Sequence, residues 1–417
     1  MAQLSDDCFA FGGPLMSVDE AVALIGERVP AVAGLEIVAL GDADGRVAAE
    51  NVLAGIDLPG FDNSAVDGYA VRYADLAPDG ETSLPIGGRL AAGSSPEGVS
   101  AAGQAVRIFT GAPMPSDADT VFMQEDVRLD RDRVWLPDGL KQGANRRPAG
   151  EDVRRGEIAI PAGRRLRPQD LALAGAVGLD RLTVRRRLKV AIFSTGDELA
   201  EPGAALRPGE IHDANRVMLA TLLRRLGADV LDLGILRDDP GAVARRLAAA
   251  AAESDLVLTS GGVSTGEEDH VKAAVGEVGQ LVFWKLAIKP GRPVAMGTIG
   301  GVPFVGLPGN PVAAYVTLLF LVRPLLARLG GALYEPPLGI PVRAAFGYRK
   351  KAGRREYVRV TLRREADGVV EVVKFPRDGA GILTSLTGSD GLAELPDDMT
   401  SLAEGDLVPF FTHAVLW

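Results

Sequence analysis

The chain has 417 residues, of which 47% are hydrophobic and 24% are charged, and its formal net charge at pH 7 is −10. This composition is that of a globular protein, and it excludes a largely disordered chain. The acidic balance argues against nucleic acid as a partner, because binding a phosphate backbone needs a dominant basic face.

The cysteine and histidine content excludes two kinds of site. Cys8 is the only cysteine, so neither an intramolecular disulfide nor a cysteine zinc cluster can form. The three histidines are far apart in the sequence, which argues against a histidine-rich metal site. No charged and apolar leader opens the sequence, and the longest apolar run, Val312–Val322, is shorter than a bilayer span. We therefore expect a cytoplasmic protein with no membrane partner.

The first predicted element is a helix that ends near Arg28. Ser17 and Glu20 mark its start as a capping box, in which each side chain accepts a hydrogen bond from the backbone N–H of the other residue. The next hundred residues combine short strand-forming runs with Gly, Pro and Asp turns, which predicts a mainly β region. Residues 150–180 predict a loop and a helix with Pro168 in its first turn, and we expect this segment to pack against the first helix.

The middle of the chain has the strongest pattern. Between residues 188 and 329, strands alternate with helices of about 10–15 residues, which predicts a doubly wound, largely parallel sheet. Asn310-Pro311 opens the last of these helices, which is expected to end near Leu329. After a proline-rich linker, the short strands of residues 331–417 predict a small β-barrel or sandwich.

The sharpest candidate site is a glycine-rich segment that follows the strand at residues 255–259. Glycines allow a close approach of the backbone, and the amide groups at a helix start attract anions. The segment supplies these groups in order: Ser260, Gly261, Gly262, Ser264 and Gly266. Asp269 stands at its rim and can bind a divalent cation. The alternative is a tight turn in which Ser264 or Asp269 only caps the next helix.

Two further carboxylates follow strand ends. Glu198 comes after the strand at Lys189–Ser194, and Asp238 comes after the strand that ends at Leu236. Ligands of open α/β sheets bind outside the carboxyl ends of the strands, so both are expected to face one crevice. Glu198 can bind Mg²⁺, which prefers one or two carboxylates with phosphate and water. Alternatively, Glu198 belongs to a solvated helical turn and Asp238 to a simple turn.

Basic and turn residues complete the candidate set. Lys285, Lys289 and Arg292 can form a basic rim for oxyanions, or they are ordinary surface residues. The run 349–355 is more typical of a solvated hairpin. In the β-rich region, Asp67 and Thr110 are either active-site groups or stabilise turns, and taken alone their segments favour turns.

Eight segments, taken together and in order, resemble the molybdopterin molybdenumtransferase family, the molybdenum insertases to which the C-terminal domain of gephyrin belongs. The segments are FDNSAVDGYAV, IFTGAPMP, RPAGEDV, FSTGDEL, DANR, LTSGGVSTGEED, WKLAIKPGRP and GLPGNPVAAY. The resemblance extends from about Leu15 to Pro396. One departure is His212, which stands where the family commonly has Tyr before the Asp of its Asp-x-Asn segment.

The resemblance implies a four-domain α/β protein that forms an elongated homodimer. A small mixed domain would combine residues 14–47 and 148–182, and a β-rich domain would span residues 48–147. The molybdopterin-binding α/β domain would span residues 183–330, followed by a C-terminal β-barrel-like domain at 331–417. In the family the active cleft lies between the α/β domain of one subunit and the β-rich domain of the other. Six residues are thereby implied as catalytic: Asp67, Thr110, Asp152, Glu198, Asp238 and Asp269.

The implied reaction inserts molybdenum from molybdate into adenylylated molybdopterin and releases AMP, with Mg²⁺ held by Glu198 and Asp269. The glycine-rich segment would bind the phosphates, with Lys289 and Arg292 balancing their charge, and Lys285, Lys289 or the pair Arg354-Arg355 would attract molybdate. The molybdopterin adenylyltransferase and molybdoenzyme maturation proteins are further implied partners. The alternatives are adenylylation of molybdopterin, a scaffold role, and tungstate in place of molybdate.

Overall fold

The computed structural model describes residues 15–237, 240–261, 270–366 and 368–417. The elements of residues 15–185 are α1 (Val18–Arg28), β1 (Leu35–Ala39), β2 (Val47–Ala48), β3 (Val52–Leu53), β4 (Asn63–Ser64), β5 (Gly68–Val71), β6 (Thr82–Leu90), β7 (Ala105–Ile108), β8 (Thr120–Met123), β9 (Arg128–Asp130), β10 (Arg133–Leu136), β11 (Arg146–Arg147), β12 (Ile158–Ile160), α2 (Pro168–Ala176) and β13 (Arg181–Arg185), with 3₁₀ turns at Leu40–Asp42 and Tyr73–Asp75.

The remaining elements form an alternating α/β region and a strand-rich C-terminal region. The first comprises β14 (Lys189–Thr195), β15 (Leu199–Ala200), β16 (Ile211–His212), α3 (Ala214–Arg225), β17 (Asp229–Leu236), α4 (Pro240–Glu253), β18 (Leu256–Ser260), α5 (His270–Val278), β19 (Gly279–Lys285), β20 (Ile288–Lys289), β21 (Pro293–Ile299), β22 (Val302–Leu307), α6 (Pro311–Thr317) and α7 (Arg323–Leu329). The second comprises β23 (Ile340–Ala344), β24 (Tyr348–Arg349), β25 (Arg355–Arg364), β26 (Val370–Lys374), α8 (Thr384–Thr387), β27 (Gly391–Leu395), β28 (Ser401–Leu402), β29 (Leu407–Thr412) and α9 (His413–Leu416).

The predicted helix starts are confirmed. The Ser17 hydroxyl accepts from the Glu20 N–H at 3.1 Å, and the Glu20 carboxylate accepts from the Ser17 N–H at 2.7 Å. Pro168 and Pro311 each stand in the first turn of a helix, where the missing proline N–H would have no intrahelical partner. Local sequence signals therefore determine where these helices begin.

The α/β region contains a six-stranded sheet in the order β17-β14-β18-β22-β21-β19. The first four strands are mutually parallel, whereas β21 and β19 are antiparallel to their neighbours. Buried side chains cover both faces: Val190, Ile192 and Leu258 face one core, and Ala191, Phe193 and Val257 face the other. The prediction of a doubly wound, largely parallel sheet is confirmed.

The last helix of this region is continuous from Pro311 to Leu329. A π-helical turn at Leu318–Val322 joins α6 to α7. Pro324 has no N–H to donate, and its ring would clash with the carbonyl of Phe320 in a regular helix, so the wider turn accommodates it. By length and composition this helix could cross a membrane, but 83% of its most apolar window is buried within the protein. Burial of that kind is typical of a core helix.

The C-terminal region forms a closed barrel. Its five strands pair in the ring β25-β26-β23-β29-β27, and β27 pairs with β25 to close it. Tyr357, Leu392 and Phe411 belong to the same core cluster as the last helix of the α/β region. The barrel therefore packs directly on the α/β region. The C-terminal barrel alternative of the sequence prediction is confirmed.

The N-terminal half contains a second six-stranded sheet, in the order β8-β5-β7-β6-β10-β9, and a three-stranded sheet, β1-β13-β2. The strand β12 pairs with β3, and β13 pairs with β1 and β2. The packing partner of α1 differs from the prediction. Ala174 of α2 lies in a core with Ala48 and Leu182, whereas Ile25 of α1 lies in the core of the last helix. The apolar face of α1 is buried by a larger partner than the small α2.

Candidate active site

The candidate site begins at the carboxyl edge of the parallel strands. Ser194 of β14 lies beside Ser260 of β18, and Ser260 lies beside Leu307 of β22. On the other side, Thr195 lies beside Leu236 of β17. The glycine-rich segment and Asp238 both follow directly from this edge in the chain. Gly262, Ser264, Gly266, Asp238 and Asp269 lie outside the described residues, so their predicted roles stay predictions.

Ser260 is anchored by the start of α3. Its hydroxyl oxygen accepts a hydrogen bond from the Asn215 amide at 2.9 Å, and the same amide donates to the Gly309 carbonyl at 2.7 Å. Asn215 thus holds together the ends of two strands and one helix. Gly309 lies just beyond β22, so the single side chain fixes the relative position of three elements at this edge.

Three buried hydroxyls at this edge have no hydrogen-bond partner among the described residues: Ser194, Thr195 and Thr259. Buried polar groups are nearly always hydrogen-bonded, and leaving one unpaired costs about 1–3 kcal/mol. These hydroxyls therefore leave hydrogen-bond donors near the carboxyl ends of β14 and β18 that no described residue uses.

Two glycines let other groups approach these strand ends. Gly196 has φ +147°, and a Cβ there would lie 2.5 Å from the Glu198 carboxylate oxygen. Gly261 has φ +86°, and its Cβ would lie 3.1 Å from the Thr195 carbonyl. The Glu198 carboxylate therefore lies against the backbone at the end of β14. Glu198 is exposed and stands in a turn, not in the helical turn of the alternative reading.

The segment before α3 is fixed by a buried arginine. Arg216 Nε donates to the Asp213 carboxylate at 2.9 Å, Nη1 donates to Asp232 at 2.6 Å, and Nη2 pairs with Glu201. Burial by itself would lower the pKa of Arg216. The hydrogen bonds to Asp232 and Asp213 outweigh burial and raise this pKa above its usual value. His212 is tied to the same loop, with Nε2 3.2 Å from the Ala204 carbonyl. The network positions Asn215 for its contact with Ser260.

The predicted basic rim divides into paired and free side chains. Lys289 Nζ donates to the Glu356 carboxylate at 2.9 Å and to the Tyr348 hydroxyl at 3.2 Å. Burial by itself would lower the pKa of Lys289 and raise the pKa of Glu356. The contact between the two side chains outweighs burial, so the pKa of Lys289 is raised and that of Glu356 is lowered. Lys285 and Arg292 are exposed, and neither has an ion-pair partner within 4.0 Å among the described residues.

Lys289 lines a cavity of about 420 Å³ between the α/β region and the barrel. Sequence reasoning missed a second cation in this cavity, Arg359. Its side chain is 8% exposed, Nε donates to the Ser385 hydroxyl at 3.1 Å, and Nη2 donates to the Gly379 carbonyl at 3.2 Å. No described carboxylate lies within 4.0 Å of it, although Asp378 lines the same cavity; burial lowers the pKa of Arg359, and Asp378 acts in the opposite direction. No local signal marks Arg359, because five of the ten residues of β25 are charged.

Arg355 lies outside this arrangement. Its guanidinium donates to Asp19 of α1 at 2.7 Å and to Asp397 at 3.0 Å, and the side chain is 17% exposed. These ion pairs join α1 to the barrel. Its predicted contact with substrate stays a prediction, and the donors that such a contact requires are already engaged within the protein.

In the β-rich region, the structure brings Asp67 and Thr110 together. The Thr110 backbone N–H and hydroxyl both donate to Asp67 Oδ1 at 2.8 Å. These two bonds, with a smaller contribution from Arg107, hold the pKa of Asp67 below its usual range. Asp67 is therefore a carboxylate at neutral pH. Asp152 is exposed, and its backbone N–H donates to the Leu58 carbonyl at 2.9 Å.

Three family models match successive parts of the chain. They are described as "MoeA N-terminal region (domain I and II)", which matches residues 16–178, "Probable molybdopterin binding domain", which matches residues 191–328, and "MoeA C-terminal region (domain IV)", which matches residues 341–412. The order of the three matches is the order of the regions described above.

Similar curated proteins and solved structures cover nearly the whole chain. The molybdopterin molybdenumtransferase of Haemophilus influenzae is 37% identical over 403 residues, covering 96% of this chain and 99% of that protein. The Nostoc sp. protein of the same name is 36% identical, with coverages of 94% and 92%. A molybdopterin biosynthesis moeA protein from Pyrococcus horikoshii is 29% identical and has a TM-score of 0.81, covering 96% of this chain and all of that one.

Proposed function

Because the chain belongs to the molybdopterin molybdenumtransferase family, we propose that it inserts molybdenum from molybdate into adenylylated molybdopterin and releases AMP. The observation that carries the proposal is the 37% identity to a molybdopterin molybdenumtransferase over 96% of the chain. The strand ends support it, because their hydroxyl donors have no partner among the described residues and the glycine-rich segment follows them in the sequence.

The phosphates of the substrate are proposed to bind at the carboxyl ends of β14 and β18. Asn215 holds Ser260 in place there, and Gly261 brings its backbone close to Thr195. The predicted glycines and Ser264 would extend this surface toward Asp269. Lys285 and Arg292, which are free of ion pairs in the described part of the chain, would balance phosphate charge.

A magnesium ion fits the donors that are described. The Glu198 carboxylate forms no hydrogen bond or ion pair with the described residues, and Gly196 leaves room for it at the end of β14. No cluster of three or more Asp, Glu, His or Cys occurs among these residues, so Asp269 is proposed as the second protein ligand. A site with one or two carboxylates plus phosphate oxygens is typical of Mg²⁺. When bound, the ion supplies Lewis-acid stabilisation of charge on the phosphates.

Molybdate is proposed to bind in the cavity lined by Lys289 and Arg359. A tetrahedral dianion requires cationic donors, and Arg359 lacks a carboxylate partner among the described residues. Lys289 is paired with the Glu356 carboxylate, so it contributes less positive charge to the cavity. Tungstate has the same shape and charge, and these side chains give no means of distinguishing it.

A homodimer with a shared cleft is part of the proposal. Leu35 and Ile37 of β1 are 63% and 66% exposed on one side of the strand, an apolar pair that a partner protomer can cover. In such a dimer Asp67 and Thr110 of one protomer would face Glu198, Asp238 and Asp269 of the other. Asp152 is proposed to contribute to the same cleft.

A cytoplasmic location and two protein partners complete the proposal. The one described helix that is apolar enough for a membrane is mostly buried in the core. Adenylylated molybdopterin would come from the adenylyltransferase, and the product would pass to molybdoenzyme maturation proteins.

The test is AMP release from adenylylated molybdopterin with Mg²⁺, measured with and without molybdate. We expect molybdate-dependent release by the wild type, and a loss of about a hundredfold or more in Asp67→Ala, Glu198→Ala and Asp269→Ala. Asp130→Ala is the matched control, because Asp130 is exposed on β9, the edge strand of the sheet whose strand β5 directly follows Asp67. Its activity should equal that of the wild type.

Two outcomes would contradict the proposal. AMP release that does not depend on molybdate would contradict the proposed insertion of molybdenum. Adenylylation of molybdopterin from ATP would favour the adenylyltransferase alternative. Mixing Asp67→Ala with Glu198→Ala under subunit exchange tests the shared cleft separately. One intact cleft per heterodimer should restore part of the activity, and failure despite demonstrated exchange would refute the sharing.

A further inference from the structure

A second concentration of positive charge lies away from the strand-end site. A crevice of about 620 Å³ lies between the loop before α2, the last helix of the α/β region, and the linker that follows this helix. Five arginines line it: Arg164, Arg165, Arg167, Arg225 and Arg323. Glu335 supplies the one carboxylate side chain in its lining. In a chain with a net charge of −10, this is a strong local reversal of charge.

The crevice is at the opposite edge of the sheet from the candidate active site. Arg225 and Leu226 end α3, and the chain enters the amino end of β17 three residues later. The candidate active site lies instead at the carboxyl ends of the same parallel strands, at Thr195 and Ser260. The crevice and the strand-end site have no lining residue in common, so a ligand in one does not occupy the other.

The arginines of the crevice differ from other arginines of the protein in their partners. Arg186 pairs with Asp255, and Arg216 has three carboxylate partners. Within the part of the chain that the structure describes, Arg165, Arg225 and Arg323 have no carboxylate within 4.0 Å. Arg164 and Arg167 share a single partner, Asp170. None of these three guanidinium groups is paired with a described carboxylate, although Arg165 Nη1 donates to the Gly45 carbonyl at 2.8 Å and Arg225 lies 5.4 Å from the centre of the Trp417 ring.

Arg323 is the most unusual of the three. It stands in the mostly apolar helix Pro311–Leu329, whose other charged residue is Arg328, and its Nη1 is buried with no hydrogen-bond partner among the described residues. Burial lowers the pKa of Arg323. Taking a cation out of water costs free energy. Only a well-placed opposite charge offsets this desolvation cost.

Guanidinium groups recognise phosphate through two parallel N–H···O bonds, whereas a single carboxylate would leave most of these donors free. The volume of the crevice is within the range of small-molecule sites, about 300–1,000 Å³. We propose that the crevice lined by Arg165, Arg225 and Arg323 binds the phosphate or diphosphate group of a small molecule, at a site separate from the candidate active site.

The experiment is calorimetric titration of the full chain with inorganic pyrophosphate, inorganic phosphate and AMP at constant ionic strength. We expect pyrophosphate to bind the wild type and to bind Arg165→Ala and Arg323→Met about tenfold more weakly, the loss of one charge-assisted contact. Arg181→Ala is the matched control, because Arg181 is an exposed arginine of the neighbouring strand β13 outside the crevice. Its affinity should be unchanged. Comparing the three ligands separates a free phosphate site from a nucleotide site.

Thermal unfolding gives a second measurement that does not depend on the strand-end site. Pyrophosphate should raise the melting temperature of the wild type and of Arg181→Ala, but not that of Arg323→Met. Without ligand, Arg323→Met should be at least as stable as the wild type, since it removes an uncompensated buried cation. Equal affinity in all four proteins, or no binding by the wild type at millimolar pyrophosphate, would overturn the proposal. The proposal would also be overturned if Arg165→Ala or Arg323→Met changed the oligomeric state of the protein but not its affinity for pyrophosphate.

Discussion

The buried carboxylate of Glu356 allows the most quantitative prediction. Glu356 is 1% exposed and accepts hydrogen bonds from Lys289 Nζ and the Tyr348 hydroxyl at 2.9 Å and from Arg354 Nε at 2.8 Å. Glu356→Gln keeps the size of the side chain but removes its charge and turns an NH₂ group toward these donors. Hydrogen bonds to charged groups contribute about 1.5–3 kcal/mol each.

The expected cost is smaller than the sum of three such bonds. Lys289 and Arg354 are 47% and 38% exposed, so both cations can recover water when the carboxylate is lost. We therefore expect Glu356→Gln to lower the free energy of unfolding by about 2 kcal/mol, between the values for exposed and fully buried pairs. Urea unfolding of the wild type, Glu356→Gln, Lys289→Met and the double variant measures the coupling between the two side chains.

The pH dependence of the same variant gives an independent check. The pKa of Glu356 is lowered in the folded protein, so its stabilising effect is present above its usual pKa of 4.5 and is lost as the pH falls through the lower folded value. The difference between wild type and Glu356→Gln should therefore shrink in acid. A coupling energy below about 0.3 kcal/mol, or a difference that does not vary with pH, would refute the reasoning.

Two further predictions concern the site and the C-terminus. Asn215→Ala removes two hydrogen bonds, so it should lower the free energy of unfolding by about 2 kcal/mol and strongly lower AMP release. The control is Asn51→Ala, which loses one hydrogen bond from the Ala162 N–H and should leave the rate of AMP release unchanged. Burial holds the pKa of His413 below its usual 6.5, so the unfolded chain takes up a proton first and stability falls as the pH drops through 6.5 toward the lower folded value. His413→Gln should flatten this part of the stability profile, and a profile as steep as that of the wild type would contradict the assignment.

The sequence alone determined the features that depend on neighbours along the chain. The capping box of Ser17, the helix starts at Pro168 and Pro311, and the alternation of strands and helices are all set by local hydrogen bonding and by hydrophobic periodicity. The order of the parallel strands then placed Ser260 and Glu198 at one edge, because parallel strands bring their carboxyl ends together. The family resemblance rested on eight segments, among them those that contain Glu198, Ser260 and Pro311.

Only the tertiary structure decided which charges are paired. Asp19 and Arg355 are 336 residues apart and nevertheless form an ion pair, which removes Arg355 from the basic surface that its sequence neighbours suggested. Arg359 is the opposite case, because it lacks a carboxylate among the described residues although Glu356 lies three positions away. Local patterns predict exposure and periodicity, whereas the compensation of a charge depends on packing between distant segments. For this reason neither the cavity of Arg359 nor the arginine crevice around Arg323 is visible in the sequence.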